Sequence, residues 1–180
     1  MEKIIRQFAK ERDGRKMIYN FTTFDVVFQK NNKLSAYLAD CMAYGRQDRA
    51  LGCSDSSQFI TPAHKIKWED ITRLAREADY HNCKGFQHSK VQKYFMDNDA
   101  ATIATEVPVW DDYRSGFIDI LRIAPDAIQV LDFKPNAHRE KTAGAQVWHY
   151  CNLLSYAAGI DRKKIEGYYF DDKSVYKIDF

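Results

Sequence analysis

The chain has no Cys-x-x-Cys pair. Cys41, Cys53, Cys83 and Cys151 stand far apart, which points to neither a zinc knuckle nor a disulfide framework and leaves reduced, mostly buried thiols as the expectation. His81, Cys83 and His88 do lie near one another, but a lone His-x-Cys pair lacks the second pair that a structural zinc needs. Met1-Glu2-Lys3-Ile4-Ile5-Arg6 is not the apolar run of a signal peptide, and no stretch approaches the length of a membrane span. The expectation is a cytoplasmic protein with no membrane partner. Low-complexity tracts and internal repeats are missing too. So is charge of one dominant sign: a formal net charge of +2 neither demands nor excludes nucleic acid, and a binding surface would have to come from local clustering.

What remains suits a folded domain. With 45% hydrophobic and 14% aromatic residues among interspersed charges, 180 residues are enough for one soluble globular core and a small appendage. Loop chemistry from Gly52 to Pro62 divides the chain into an N-terminal accessory segment, 1–60, and a core, 61–180. In the accessory part, Lys3 to Lys16 reads as a basic amphipathic helix, either a solvated face or one that tracks phosphates. Met17 to Phe28 suggests a strand or two, and Leu34 to Tyr44 a helix stopped by Gly45. In the core, one helix is expected after Pro62, with Trp68, Ile71, Leu74, Ala75 and Ala78 at helical spacing, and a second from Gly85 to about Asp97 carrying His88. A strand follows from Thr102 to Trp110; it contains Glu106, and Pro108 argues for an edge or a bulge. Glu140 to Ala158 is the strongest helix, stopping at Gly159. Lys164 to Phe170 and Ser174 to Ile178 read as a closing hairpin.

Between these lies the stretch around which the rest is organised. Gly116 to Ile123 and Ile128 to Lys134 are rich in β-branched and aromatic residues and are separated by a Pro125-Asp126 turn. If the turn runs from Ala124 to Ala127, counting outward sets Asp119 opposite Asp132 with both side chains on one face. Lys134, two residues beyond Asp132, joins them. Opposed like charges destabilise a sheet and raise each other's pKa, so the pair needs neutralising, which a divalent cation would do. The alternative is that the strand ends lie in solvent and the acids only keep the hairpin soluble. Glu106 becomes a third acid nearby.

In order and spacing these residues resemble the PD-(D/E)XK nuclease superfamily and, within it, the RecB-like exonucleases, CRISPR-associated relatives included. The resemblance covers roughly Gly85 to Ile178. It rests on His88 after Gly85, Glu106, Asp119 in Gly-Phe-Ile-Asp, Asp132-Phe133-Lys134, and Gln146-Val-Trp-His-Tyr150 as a Q-x-x-x-Y motif. A bare D-x-K occurs by chance in many proteins; the ordered combination is specific. The resemblance implies an α/β (α+β) fold, a central mixed β-sheet flanked by helices with a restriction-endonuclease-like core. It also implies that Asp119, Asp132 and the main-chain carbonyl of Phe133 hold Mg²⁺ or Mn²⁺, with His88 as a further ligand and Glu106 as an added one. Lys134 would orient or activate the attacking water and stabilise charge on the phosphate. Gln146 and Tyr150 would position the substrate or the lysine, although Tyr150 also suits an amphipathic core. The chain departs from the pattern at Pro135, where RecB-like members usually carry a small hydroxyl residue. It also lacks the cysteines of iron-sulfur relatives, so no iron-sulfur cluster is expected.

The expected function is hydrolysis of DNA phosphodiester bonds by a metal-dependent nuclease. The rival is a nucleic-acid-binding or assembly module that keeps the fold without cutting. Arg122, Arg139 and Lys141 flank the motifs as phosphate contacts or as solvated surface, and Trp110, Tyr113 and Trp148 are stacking platforms or core. Small nucleases of this kind often work as homo-oligomers or within larger repair, phage or defence assemblies.

Overall fold

In a computed structural model, the residues described are 5–12, 15–22, 32–44, 51–52, 61–82 and 88–180, with side chains described over 33–41, 61–78 and 88–180. The fold is a mixed β-sheet with helices on both faces. Its strands are β1 (Ile5–Arg12), β2 (Arg15–Thr22), β3 (Leu51–Gly52), β4 (Ala63–Ile66), β5 (Thr102–Trp110), β6 (Arg114–Ile123), β7 (Ile128–Phe133), β8 (Ile165–Phe170) and β9 (Val175–Ile178). They run in the spatial order β1-β2-β5-β6-β7-β8-β9-β4, with β3 beside the start of β6. The β7–β8 and β3–β6 pairs are parallel and the others antiparallel.

The helices are α1 (Asn32–Tyr44), α2 (Glu69–Asn82), α3 (His88–Asn98) and α4 (Ala143–Ala158). One core lies under α1 and α4 and gathers Leu34, Leu38, Val107, Ile118, Leu121, Val130, Val147 and Leu154. A second lies under α2 and α3 and gathers Ile71, Leu74, Val91, Phe95, Ile120, Leu131, Phe133 and Phe170. The sheet is therefore covered on both faces, and β7 is buried along its whole length. No helix among the described residues is long and apolar enough to cross a membrane.

The basic segment expected to be helical forms the β1–β2 hairpin instead. Arg12 pairs with Arg15, and the intervening Asp13-Gly14 dipeptide is a strong two-residue hairpin signal that outweighs the short apolar stripe at Ile4, Ile5 and Phe8. The hairpin joins β5 through Asn20–Thr105 and Phe21–Ala104, so residues before 61 contribute strands, and through α1 a helix, to the same sheet and core. The β2 pairing with β5 stops at Thr105. Pro108 lies beyond it, where the Tyr37 hydroxyl of α1 donates to the Pro108 carbonyl at 2.6 Å; the proline thus occupies a local edge. The Met17–Phe28 expectation is met over β2, and its remainder lies outside the described residues. The helices expected after Pro62 and near His88 are α2 and α3. Gly85, Cys53 and Cys83 fall outside the described residues, as does the His81 side chain; Cys41 and Cys151 are free and buried.

Helix α4 starts at Ala143 rather than Glu140, because the preceding residues form a 3-10 turn at Ala137–Arg139. It ends at Gly159, which is left-handed at φ 61° and caps the helix through its N–H. Its seat on the sheet depends on Gly167 of β8. A Cβ there would meet Val147 Cγ1 at 2.7 Å and Cys151 Sγ at 2.9 Å. Gly167→Ala is expected to destabilise the protein by about 1–3 kcal/mol through overpacking, read as a lower urea midpoint; an unchanged midpoint would mean that α4 does not sit this closely.

Candidate active site

The central turn forms as its sequence dictates: Ala124 N–H donates to Ala127 O at 2.8 Å across Pro125-Asp126. The β6–β7 ladder then runs Ile123–Ile128, Arg122–Gln129, Leu121–Val130 and Ile120–Leu131. The next position in this register sets Asp119 opposite Asp132. The ladder ends there, and Phe133 N–H donates to the Asp119 carboxylate at 2.9 Å.

On the other side of β6, Thr105–Ile120 and Val107–Ile118 flank the level of Glu106 and Asp119. Three acids on three neighbouring strands thus form one row. Alternation breaks at this row: Ala104 and Val107 on β5, and Ile118 and Leu121 on β6, all pack in the α1–α4 core, while Ile120 packs in the α2–α3 core. Residues three apart share a face where two apart should. Both strands invert at the same level, so their register survives. Glu106 supplies the backbone for this, with a left-handed φ of 54°, a conformation that costs a non-glycine residue about 1–3 kcal/mol and persists only where its surroundings enforce it.

The surroundings are polar and enclosed. Asp119 is 7% exposed and Asp132 1%. His88, at the start of α3, donates from Nδ1 to Asp119 Oδ2 at 3.1 Å, and its ring meets Phe133 edge-on. One turn later Gln92, itself buried, donates to Asp119 Oδ1 at 3.2 Å and to Glu106 Oε1. Lys134 Nζ lies 2.7 Å from Asp132 Oδ2. That oxygen is charge-paired but accepts no aligned hydrogen bond, an unusual condition for a buried carboxylate.

These contacts set the ionisation. Burial, with the Asp119 charge added, pushes the Asp132 carboxyl up to about 7, outweighing the opposing Lys134 ammonium. Burial and Asp119 likewise raise Glu106 to about 7. The hydrogen bond to Asp119 raises His88 against the effect of burial. Burial works against the charge on Lys134, but the Asp132 carboxylate prevails and raises its pKa.

The structure therefore brings together Asp119, Asp132, Phe133, Lys134, Glu106 and His88. Gln146 and Tyr150 make their own hydrogen bond on α4 at 2.6 Å, and Tyr150 is part of the core beneath that helix. Arg139 and Lys141 are exposed just beyond Lys134. Arg122, expected as a phosphate contact, is a correction: it is 8% exposed, ion-paired with Asp99 at 2.6 Å, bonded to Gln129 at 2.8 Å and stacked over Trp68. It lies on the far side of the acid row, toward the Pro125 turn. Gln92 is the residue the sequence reading missed; its four-residue spacing from His88 on one helix face was the available signal.

Could this donor set hold a divalent cation? Among the described residues, no group of three or more His, Cys, Asp or Glu side chains is arranged as a metal shell; each carboxylate is turned toward a donor of the protein. The chemistry still fits. Hard carboxylate oxygens, two of the acids carrying raised pKa values and one holding a buried oxygen without an aligned partner, suit Mg²⁺ or Mn²⁺. No protein-family model matches the chain, and searches of curated proteins and of solved structures likewise return no match.

The acid row makes a testable statement about stability. A carboxyl whose folded pKa is raised binds more protons when folded than when unfolded, so its contribution is full below about pH 4 and is lost as pH rises to about 7. His88, also raised, loses its contribution in the same direction. Stability measured in EDTA is expected to fall between pH 5 and pH 8, and Asp132→Asn to flatten that fall, although it also removes the partner of Lys134. A variant whose stability falls as steeply as that of wild type over this range would contradict the assignment.

Proposed function

We propose that this chain is a divalent-metal-dependent nuclease that hydrolyses DNA phosphodiester bonds, of the RecB-like exonuclease kind that its motifs resemble. The observation that carries the reading is the burial of Asp119 and Asp132 side by side at the end of the β6–β7 ladder, with the Lys134 ammonium 2.7 Å from Asp132 Oδ2. A structural ion pair would need one carboxylate. Here there are two, with Glu106 as a third, faced by the Lys134 ammonium and the His88 imidazole.

Asp119, Asp132, the Phe133 carbonyl and, with rearrangement, Glu106 would hold the cation. When bound, it supplies a polarised phosphate, a more acidic water and charge compensation at the leaving oxygen. Lys134 contributes a fixed positive charge at the rim, since its side chain is 17% exposed, where it stabilises negative charge developing on the phosphate and orients the water. His88 and Gln92 hold Asp119 and Glu106, and the Gln92 contact to Glu106 would have to be exchanged for the cation. Arg139 and Lys141, exposed and a few residues after Lys134 in the chain, would contact substrate phosphates.

The test is cleavage of end-labelled single- and double-stranded DNA, linear and circular, with Mg²⁺, Mn²⁺ or EDTA. Cutting is expected with either metal, none with EDTA or with Asp132→Ala, and a fall in kcat of about 10²–10³-fold with Lys134→Ala. Resistance of circular DNA would assign exonuclease action. Folded protein that cuts nothing under any metal would refute the nuclease.

One observation favours the rival reading of a binding module. Three of the four exposed large hydrophobic side chains among the described residues, Tyr113, Trp148 and Tyr156, line one groove beside α4 with Arg114 and His149. Trp148 and Tyr156 lie on one face of α4, two turns apart, where unpaired bases can stack. Trp148→Ala is expected to weaken binding of a single-stranded oligonucleotide about tenfold, on the scale of one lost stacking contact. Undiminished affinity in a fluorescence anisotropy titration would leave the aromatic groove without this role.

A further inference from the structure

Lys134 is followed by two residues that cannot continue β7. Pro135 has no N–H, and Asn136 is left-handed at φ 65°. The lysine must nevertheless be held so that its ammonium meets Asp132. The chain is fixed on either side of the break. Lys134 N–H donates to Phe170 O at 2.9 Å, and Ala137 N–H donates to Asp171 Oδ2 at 2.8 Å. Phe170 and Asp171 are consecutive, so a single point at the end of β8 grips both ends of the Lys134–Ala137 arch.

Asp171 is built for this. It is 3% exposed, and its second oxygen accepts from Lys173 N–H at 2.8 Å and Ser174 N–H at 2.7 Å. The Asp171 N–H in turn donates to Ser174 O at 3.0 Å, closing the β8–β9 turn around the carboxylate. One oxygen secures the turn, and the other reaches out of it to the arch.

We propose that Asp171 is a positioning residue for Lys134, its Oδ2 fixing the arch and thereby the direction from which the ammonium meets Asp132. The arrangement accounts for the departure at Pro135. A residue without N–H follows the lysine, and the anchoring N–H is supplied two residues later. The consequence for catalysis rests on the nuclease reading; the tether does not.

The discriminating variant is Asp171→Asn. The amide keeps an acceptor oxygen for Lys173 and Ser174 but turns an NH₂ toward Ala137 N–H, so it breaks the tether and spares the turn. Two readouts are expected to move: kcat for metal-dependent cleavage falls about 10²-fold, the scale of a small misplacement of a working group, with KM unchanged; and Lys134 acylation by an N-hydroxysuccinimide ester, followed by peptide mass spectrometry, becomes severalfold faster. A merely structural role would lower thermal stability and leave the kcat-to-KM split and the labelling rate as in wild type, which would overturn the proposal. Faster Lys134 labelling in a chain whose wild type cuts no DNA would retain the tether and discard the nuclease. If neither Asp171→Asn nor Asp171→Ala folds, amide exchange in the wild-type protein decides. Protection of Ala137 N–H matching that of β8 supports the tether, and exchange at the rate of an exposed loop overturns it.

Discussion

The structure depends on a constraint that sheets normally avoid: two carboxylates on neighbouring strands, one residue beyond the last paired rung and almost wholly buried. Asp119 and Asp132 are forced together by the Pro125-Asp126 turn, whose hydrogen bond fixes a register that the apolar pairs from Ile123–Ile128 to Ile120–Leu131 then enforce. A slip of one residue would expose the apolar set and separate the acids. Hydrophobic burial thus holds an electrostatic conflict in place. Everything around the pair answers it: a main-chain N–H from Phe133, an imidazole and an amide from α3, and an ammonium from Lys134.

The same constraint explains the backbone. If β5 and β6 alternated regularly, Val107 and Ile118 could not pack with Ala104 and Leu121 under α4. The inversion at Glu106 lets both strands keep their apolar faces and leaves the polar residues at the point of inversion, where their side chains can be met by α3. The left-handed φ of Glu106 is in this sense a product of two cores competing for the same strands. A position where strand alternation cannot be satisfied is also a position where backbone and carboxylates can be offered to a ligand without weakening the ladder on either side.

How much of this was legible in the sequence follows from the range of the interactions involved. The β6–β7 turn and register, the closing hairpin, α1 and the Gly159 stop are local, written in turn formers and periodicity, and they form where expected. So is the meeting of Asp119, Asp132 and Lys134, because a hairpin converts sequence distance into geometry by simple counting. The β1–β2 hairpin was misread because charge obscured its alternation, and its place beside β5 is a long-range pairing that no local pattern records. Gln92 could have been found from its spacing with His88, but its partner Glu106 depends on which face of β5 turns over, which the sequence does not state. Arg122 failed as a surface cation for a related reason: its acceptors Asp99 and Gln129 come from the α3–β5 connection and from β7, and only the folded sheet shows that it is consumed.

The balance of charge in the site bears on whether such a centre is a relic or a working one. A protein that only needed this fold would gain by replacing one of the opposed acids with an apolar residue, since burying a carboxylate without full compensation is expensive. The chain instead keeps Asp132 nearly inaccessible, gives one of its oxygens no aligned hydrogen bond, and commits Gln92 and His88 to the neighbouring acids. Lys134 does not remove the imbalance, because one positive charge faces more than one carboxylate and sits at the rim, where it can also address a ligand. The row instead meets its charge by shifting ionisation: burial raises Asp132 and Glu106, and the hydrogen bond to Asp119 raises His88, so that the protonation of the site, rather than a fixed set of ion pairs, sets its electrostatic balance.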